Sequence, residues 1–293
     1  MQIDSLKIFC DLTETQSFTK TAQIHGVTQS AISQQTSALE RLFKSRLIER
    51  GKKRFRLTRE GQVLYDYSKH IIQIHETLHS RLQELKDIIS GTIRVATIYS
   101  IGLHDLPRYV KKFMRSYPTV TVHIELRHPK QVYADVLGNV ADMGLVALPT
   151  KDSKLEIISY GDDPLVFICH PQHPLAKQSS VKLKALMGQK FIAFESDIPT
   201  RKAIDKILRS HGVSVNTVME FDNIETVKGA VEIDAGVSIV PQSTIKREVA
   251  KRTLTALPIE GGPFHRPIAI IYKKNRVLSP AMKQFVAILK EAH

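Results

Sequence analysis

The chain has 293 residues, enough for two ordinary domains. Its 42% hydrophobic and 24% charged residues exclude a disordered or collagen-like chain, and no apolar run approaches the 18 or so residues of a membrane helix. Lys and Arg outnumber Asp and Glu by 42 to 29, a net +13 that favours anionic partners but says nothing of fold.

The first residues, MQIDSLKIFCDL, carry Asp4 and Lys7 where a signal peptide needs an apolar core. Cys10 and Cys169 are the only cysteines, too few for a disulfide framework or a zinc finger. Both features point to a reducing cytoplasm, with no membrane partner. The basic excess is uneven: Arg41 to Arg59 holds nine basic residues against one acid, Glu49.

Residues 1–58 read as short helices with polar turns. Within them, Ser17 to Glu40 reads SFTKTAQIHGVTQSAISQQTSALE. One helix spans Thr19–His25, Gly26-Val27 turns, and a second helix runs from Thr28 to about Leu39. Gly26 supplies the permissive turn residue and Thr28 the capping hydroxyl. Ala22, Val27, Ala31, Ile32 and Leu39 pack the pair, which makes a helix-turn-helix. On the outward face of the second helix lie Gln29, Ser30, Ser33, Gln34 and Ser37. Amides and hydroxyls there suit the base edges of a major groove, since glutamine pairs with adenine N6 and N7. Ser17, Thr19 and Thr28 suit phosphates beside them. After Leu47-Ile48, the run Glu49-Arg50-Gly51-Lys52-Lys53-Arg54 and Phe55-Arg56-Leu57 reads as a two-stranded wing. Arg50, Lys52, Lys53 and Arg54 at its tip are placed to neutralise DNA backbone.

Residues 59–91 read as a linker whose long helix reaches Ile89. Leu64, Tyr67, Ile71, Ile74, Leu78, Leu82 and Leu85 recur at steps of three and four, and Ile89 continues them, close to a coiled-coil seam. A lone helix would expose that stripe, so a second copy of the chain is the expected partner. The same helix holds His75-Glu76-Thr77-Leu78-His79, an HExxH string that can form a zinc peptidase site. With Leu78 on the seam and no third-ligand motif downstream, the peptidase reading is set aside.

Beyond Ser90-Gly91 the periodicity changes. Strand-like runs near 93–98, 120–126, 143–148, 164–169, 190–194, 214–221, 236–240 and 267–272 alternate with helical patterns, predicting an α/β domain with mainly parallel sheet. Cys10 and Cys169 read as core residues, Gly261-Gly262 as a turn, and no cofactor is expected.

The order helix, SFTKTAQIHGVTQSAISQQTSALE, LIERGKKRFRLTREG, long helix and α/β domain resembles the LysR-type transcriptional regulators along essentially the whole chain. The resemblance implies a winged helix-turn-helix over 1–58, a dimerising linker, and an effector domain over 92–293 similar to type II periplasmic binding proteins. It further implies a homodimer assembling to a homotetramer on interrupted palindromic promoter DNA, a small-molecule effector, and RNA polymerase as a further partner. Ser30 stands where the family often has Pro, and Glu60 where it often has Ala, so the operator sequence is not transferable from relatives. A solute-binding protein would share the second domain, but it needs export and leaves residues 1–91 without a purpose.

Two lobes around a cleft follow from the same resemblance, at about 92–161 with 268–293, and 162–267. Strand ends facing helix starts give the candidate pocket: Tyr99, Ser100, Ile101, Leu148 and Pro149 on one lobe, Thr200, Arg201, Asn223, Ile224 and Glu225 on the other. Arg201 is the expected carboxylate clamp. His104 is read as a solvated helix position. The excess of +9 beyond residue 91 leans toward an anionic effector.

Overall fold

The computed structural model describes residues 2–49, 55–84 and 89–291. The chain forms two compact units, one chiefly of residues 1–89 and one chiefly of residues 90–293.

In the first unit, α1 (Ile3–Thr15), α2 (Phe18–His25) and α3 (Gln29–Phe43) are separated by residues that cannot continue a helix. Gln16 ends α1 at φ 51°, and the Ser17 hydroxyl accepts from the Lys20 N–H to cap α2. Gly26 ends α2 in the left-handed region at φ 63°, where a Cβ is disfavoured. Thr28 then caps α3, its hydroxyl accepting from the Ala31 N–H at 3.2 Å. The α3 helix runs one turn past the predicted Leu39. Leu6, Phe9, Cys10, Leu39 and Leu47 bury one core, and Ile8, Leu12, Ala22 and Ile32 a second. The wing closes by an antiparallel bridge between Ile48 and Leu57, with the Glu49 N–H donating to the Arg56 carbonyl at 2.9 Å. Its tip, with the predicted phosphate contacts Arg50, Lys52, Lys53 and Arg54, lies outside the described residues.

The linker helix α4 (Arg59–Glu84) is roughly 39 Å long at 1.5 Å per residue. It starts hard against the wing, where the Gly61 Cα lies so close to Leu47 that a Cβ would fall 2.0 Å from that carbonyl oxygen. The predicted seam divides in two. Leu64 and Ile71 pack with Tyr65 on the core containing Leu6, Phe9 and Ile72, because α4 lies alongside α1. Tyr67, Ile74, Leu78 and Leu82 are each more than half exposed and, with Val63, form the stripe left over. Leu85 lies outside the described residues.

The second unit runs β1 (Gly91–Thr97), α5 (Tyr99–His104), α6 (Leu106–Ser116), β2 (Val120–Leu126), α7 (Pro129–Leu137), β3 (Met143–Ala147) and β4 (Leu155–Cys169). There follow β5 (Lys190–Phe194), α8 (Pro199–Ser210), β6 (Asn216–Phe221), α9 (Ile224–Glu232), β7 (Ser238–Pro241), α10 (Lys246–Lys251), β8 (Thr255–Leu257), β9 (Phe264–Lys273) and α11 (Pro280–Lys290). The main sheet has the order β2-β1-β3-β9-β4-β7, with β8 on β4; β5 and β6 pair separately. The expectation of a mainly parallel sheet is corrected. Pairs β1–β2, β1–β3 and β5–β6 are parallel, but every pairing of β4 and β9 is antiparallel. These two long strands run side by side from Leu155↔Lys273 to Leu165↔Phe264, with a register slip between Ser159 and Gly161. The lobe limits read from the sequence, 161/162 and 267/268, fall inside them. Phe167, Phe191, Val227, Val231 and Ile239 centre the core of residues 162–267. No helix among the described residues is long and apolar enough to cross a membrane.

Candidate DNA-reading helix and effector cleft

The face of α3 is sorted by its packing. Ile32, Thr36 and Leu39 are buried, and the Thr36 hydroxyl is spent on the Ile32 carbonyl at 2.9 Å. Gln29, Ser30, Ser33 and Gln34 are exposed on the opposite side and Ser37 is half-buried at its edge. Thr19 is exposed at the start of α2. Ser17 and Thr28 are helix caps, and the Thr28 hydroxyl also meets the Ser30 hydroxyl at 2.9 Å. Both caps sit at helix N-termini, where the field favours an anion.

In the second unit, a cleft of about 450 Å³, its mouth included, lies between helix starts. Tyr99, Ser100, Thr200, Asn223 and Ile224 line it, as expected, joined by Arg127, Asp222 and Arg266. Its floor is Arg266, a strand residue only 2% exposed. Its Nη1 donates to the Ser100 hydroxyl at 3.0 Å and reaches the Thr200 hydroxyl at 3.5 Å. Its Nη2 donates to Asp163 at 3.0 Å, directly across the β4–β9 ladder. Asp163 also accepts from the Ser243 N–H at 3.1 Å and hydroxyl at 2.6 Å. The buried Arg266 Nε has no acceptor among the described residues. Burial pulls this guanidinium below its ordinary pKa, and Asp163 opposes that pull. Burial, and then the Asp105 carboxylate, hold the nearby Tyr160 phenol well above its usual value.

Ser100 and Thr200 are themselves buried, and since each accepts from Arg266, each hydroxyl hydrogen is left to donate. Thr200 also stands in the first turn of α8, whose N-terminal N–H groups lack helical acceptors. An oxygen-rich group fits this arrangement.

Five expected pocket residues are corrected. Arg201 points away: its Nε donates to Asp205 at 2.9 Å and its Nη1 to Glu220 and the Phe194 carbonyl at 2.6 Å. The i,i+4 spacing of Arg201 and Asp205 on α8 holds it there. Ile101 is core, 1% exposed. Leu148 turns the chain at φ 52°, its N–H donating to the Pro267 carbonyl at 2.7 Å, and neither it nor Pro149 lines the cleft. Glu225 faces His104 at 2.7 Å and buried Lys228 at 3.0 Å. His104, read as solvated, is instead held against Glu225 by a hydrogen bond, its side chain only 12% exposed. Asn223 lines the cleft, but its Oδ1 caps α9 by accepting from the Glu225 and Thr226 N–H groups.

The sequence reading missed Arg266, Asp163 and Arg127. A signal was present for two of them: Asp163-Pro164 and Arg266-Pro267 each put a charge beside apolar strand residues, and a charge there requires a partner. The rings that pass for turn signals concealed it.

A helix-turn-helix with a polar outward face, joined by a long helix to an α/β ligand cleft, is the plan of an effector-controlled transcriptional regulator. Residues 3–62 match the bacterial regulatory helix-turn-helix of the lysR family, and residues 86–293 match the LysR substrate binding domain. The chain belongs to this family: it is a DNA-binding transcriptional regulator controlled by a small molecule. It is similar to the HTH-type transcriptional activator CmpR of Synechocystis sp., 29% identical over 98% of this chain and 94% of that protein. Among solved structures, full-length CbnR complexed with target DNA superposes with TM-score 0.73 at 20% identity, covering 100% of both chains. The CcmR regulatory domain of Synechocystis, in complex with 2-PG, superposes with TM-score 0.64 at 28% identity, covering 69% of this chain and 97% of that one.

Proposed function

We propose that α3 enters the major groove of double-stranded promoter DNA, with Gln29, Ser30, Ser33, Gln34 and Ser37 facing base edges. Ser17, Thr19 and Thr28, with the wing cations Arg50, Lys52, Lys53 and Arg54, hold the backbone. The exposed stripe Tyr67, Ile74, Leu78 and Leu82 seats a second copy of the chain, and dimers pair into a homotetramer on DNA in the cytoplasm, within reach of RNA polymerase.

The effector is a small anion carrying a carboxylate or phosphate. One observation carries this reading: Arg266 is buried at the cleft floor with the Ser100 and Thr200 hydroxyls polarised above it and its Nε without an acceptor among the described residues. The 2-PG bound to the CcmR domain supports the same class. A ligand that prefers one arrangement of the lobes shifts the population of that arrangement, and with it the spacing of the bound dimers.

Calorimetric titration of the full chain with short carboxylates and phosphate esters, in wild type and Thr200→Ala, tests the reading. Binding weakened about tenfold or more by loss of the hydroxyl is expected, as for a hydrogen bond to a charged group. Ligands that bind only when uncharged, or equally to both proteins, overturn it.

A further inference from the structure

We propose that His75 and His79 form a two-imidazole site for a divalent transition metal on the linker helix. They lie four residues apart on one face of α4, within the HExxH string. Their Nε2 atoms approach to 3.3 Å, with the rings edge to face at 4.5 Å. That separation matches a shared ion. Two nitrogens each about 2.0–2.1 Å from a tetrahedral zinc stand about 3.3–3.4 Å apart. Without metal, one Nε2–H donates to the other Nε2; on binding, that hydrogen passes to Nδ1 of its own ring, so both neutral imidazoles present a lone pair to the ion.

The donors define the metal. Neutral imidazoles select copper, nickel and zinc over magnesium and calcium, which need oxygen. Among the described residues the only group of three potential ligands within reach of one ion is His128, Glu195 and Asp197, where the Lys130 ammonium already sits 2.7 Å from Asp197. His75 and His79 have no third described ligand, so water fills the other positions and the site is a staple rather than a peptidase centre. The ion ties two successive turns of α4 beside the exposed Ile74 and Leu78, placing two positive charges on the rim of the stripe.

The test is calorimetric titration of the untagged full chain with zinc, and with magnesium as control, in wild type, His75→Gln, His79→Gln and His128→Gln. Helical ellipticity is checked first so that a misfolded variant is not scored. Wild type and His128→Gln take one zinc per chain, while either linker variant binds about tenfold or more weakly, having lost one of two ligands. With copper, the electron paramagnetic resonance spectrum shows coupling to two nitrogens that His79→Gln reduces to one. Unchanged zinc affinity in both linker variants, loss only in His128→Gln, or equal binding of magnesium overturns the proposal.

Discussion

Removing the carboxylate beneath the cleft makes the sharpest test of how the effector unit is held together. In Asp163→Ala the guanidinium of Arg266, 2% exposed, keeps its charge and loses the oxygen 3.0 Å away. Ser243 loses the acceptor for its N–H and its hydroxyl. Breaking a buried pair from one side costs about 3–5 kcal/mol, because the stranded charge keeps its desolvation penalty. At about 2–4 °C per kcal/mol for a unit of this size, the melting temperature falls by roughly 6–20 °C. Melting followed by circular dichroism measures it, and the double variant Asp163→Ala/Arg266→Met provides the control. Removing both charges restores much of the loss, since an apolar replacement of similar volume often costs little. A loss below about 1 kcal/mol in the single variant, or no recovery in the double, refutes the view of Arg266 as a buried, compensated cation.

In Gly61→Ala the new Cβ meets the Leu47 carbonyl oxygen at 2.0 Å, so α4 has to shift from the wing; faster proteolysis of residues 1–89 and weaker DNA binding are expected, and wild-type behaviour in both contradicts it. Gln34→Ala costs roughly 1–3 kcal/mol of discrimination at one base step in gel shifts, and an equal loss on random duplex removes Gln34 from base reading. Burial raises the Cys10 thiol to about 12 and the Cys169 thiol to about 11, so alkylation near pH 8 should be slow until urea is added; rapid labelling of folded protein counts against their burial. Burial pushes the Glu225 carboxyl up, but hydrogen bonds from His104 and Lys228 outweigh it and leave the pKa below its usual value. The resulting stability is present above the ordinary glutamate pKa and is lost as pH falls through the folded value, so Glu225→Gln flattens the stability profile in acid; an unchanged acid limb argues against this pairing.

Local rules carried the first unit well. Gly26, Thr28 and the small residue Ala22 specify a turn, a cap and a close crossing from short-range chemistry alone, and the structure uses all three. The linker stripe was legible as apolar periodicity, but periodicity does not say which neighbour covers a side chain, so Leu64 and Ile71 were assigned outward when α1 claims them. The apolar pattern shows β4 only from residue 164, because Gly161-Asp162-Asp163-Pro164 looks like a turn when cross-strand partners are unknown. Its pairing with β9, more than a hundred residues later, explains how Asp163 and Pro164 sit in a strand. The pocket divides along the same line. Ser100 and Thr200 were found as helix-start residues, whereas Arg266 becomes a site residue only through the ladder that sets it opposite Asp163.

That ladder also limits how the ligand unit can move. The two passages of chain between its halves are not separate flexible threads; they are hydrogen-bonded to each other along most of their length, interrupted by the slip at Ser159/Gly161. A ribbon of this kind resists wide bending and yields more readily to torsion near the slip, where pairing is already broken. Within this unit, the ladder therefore favours a small twist of a stiff strap over the swing of an open jaw.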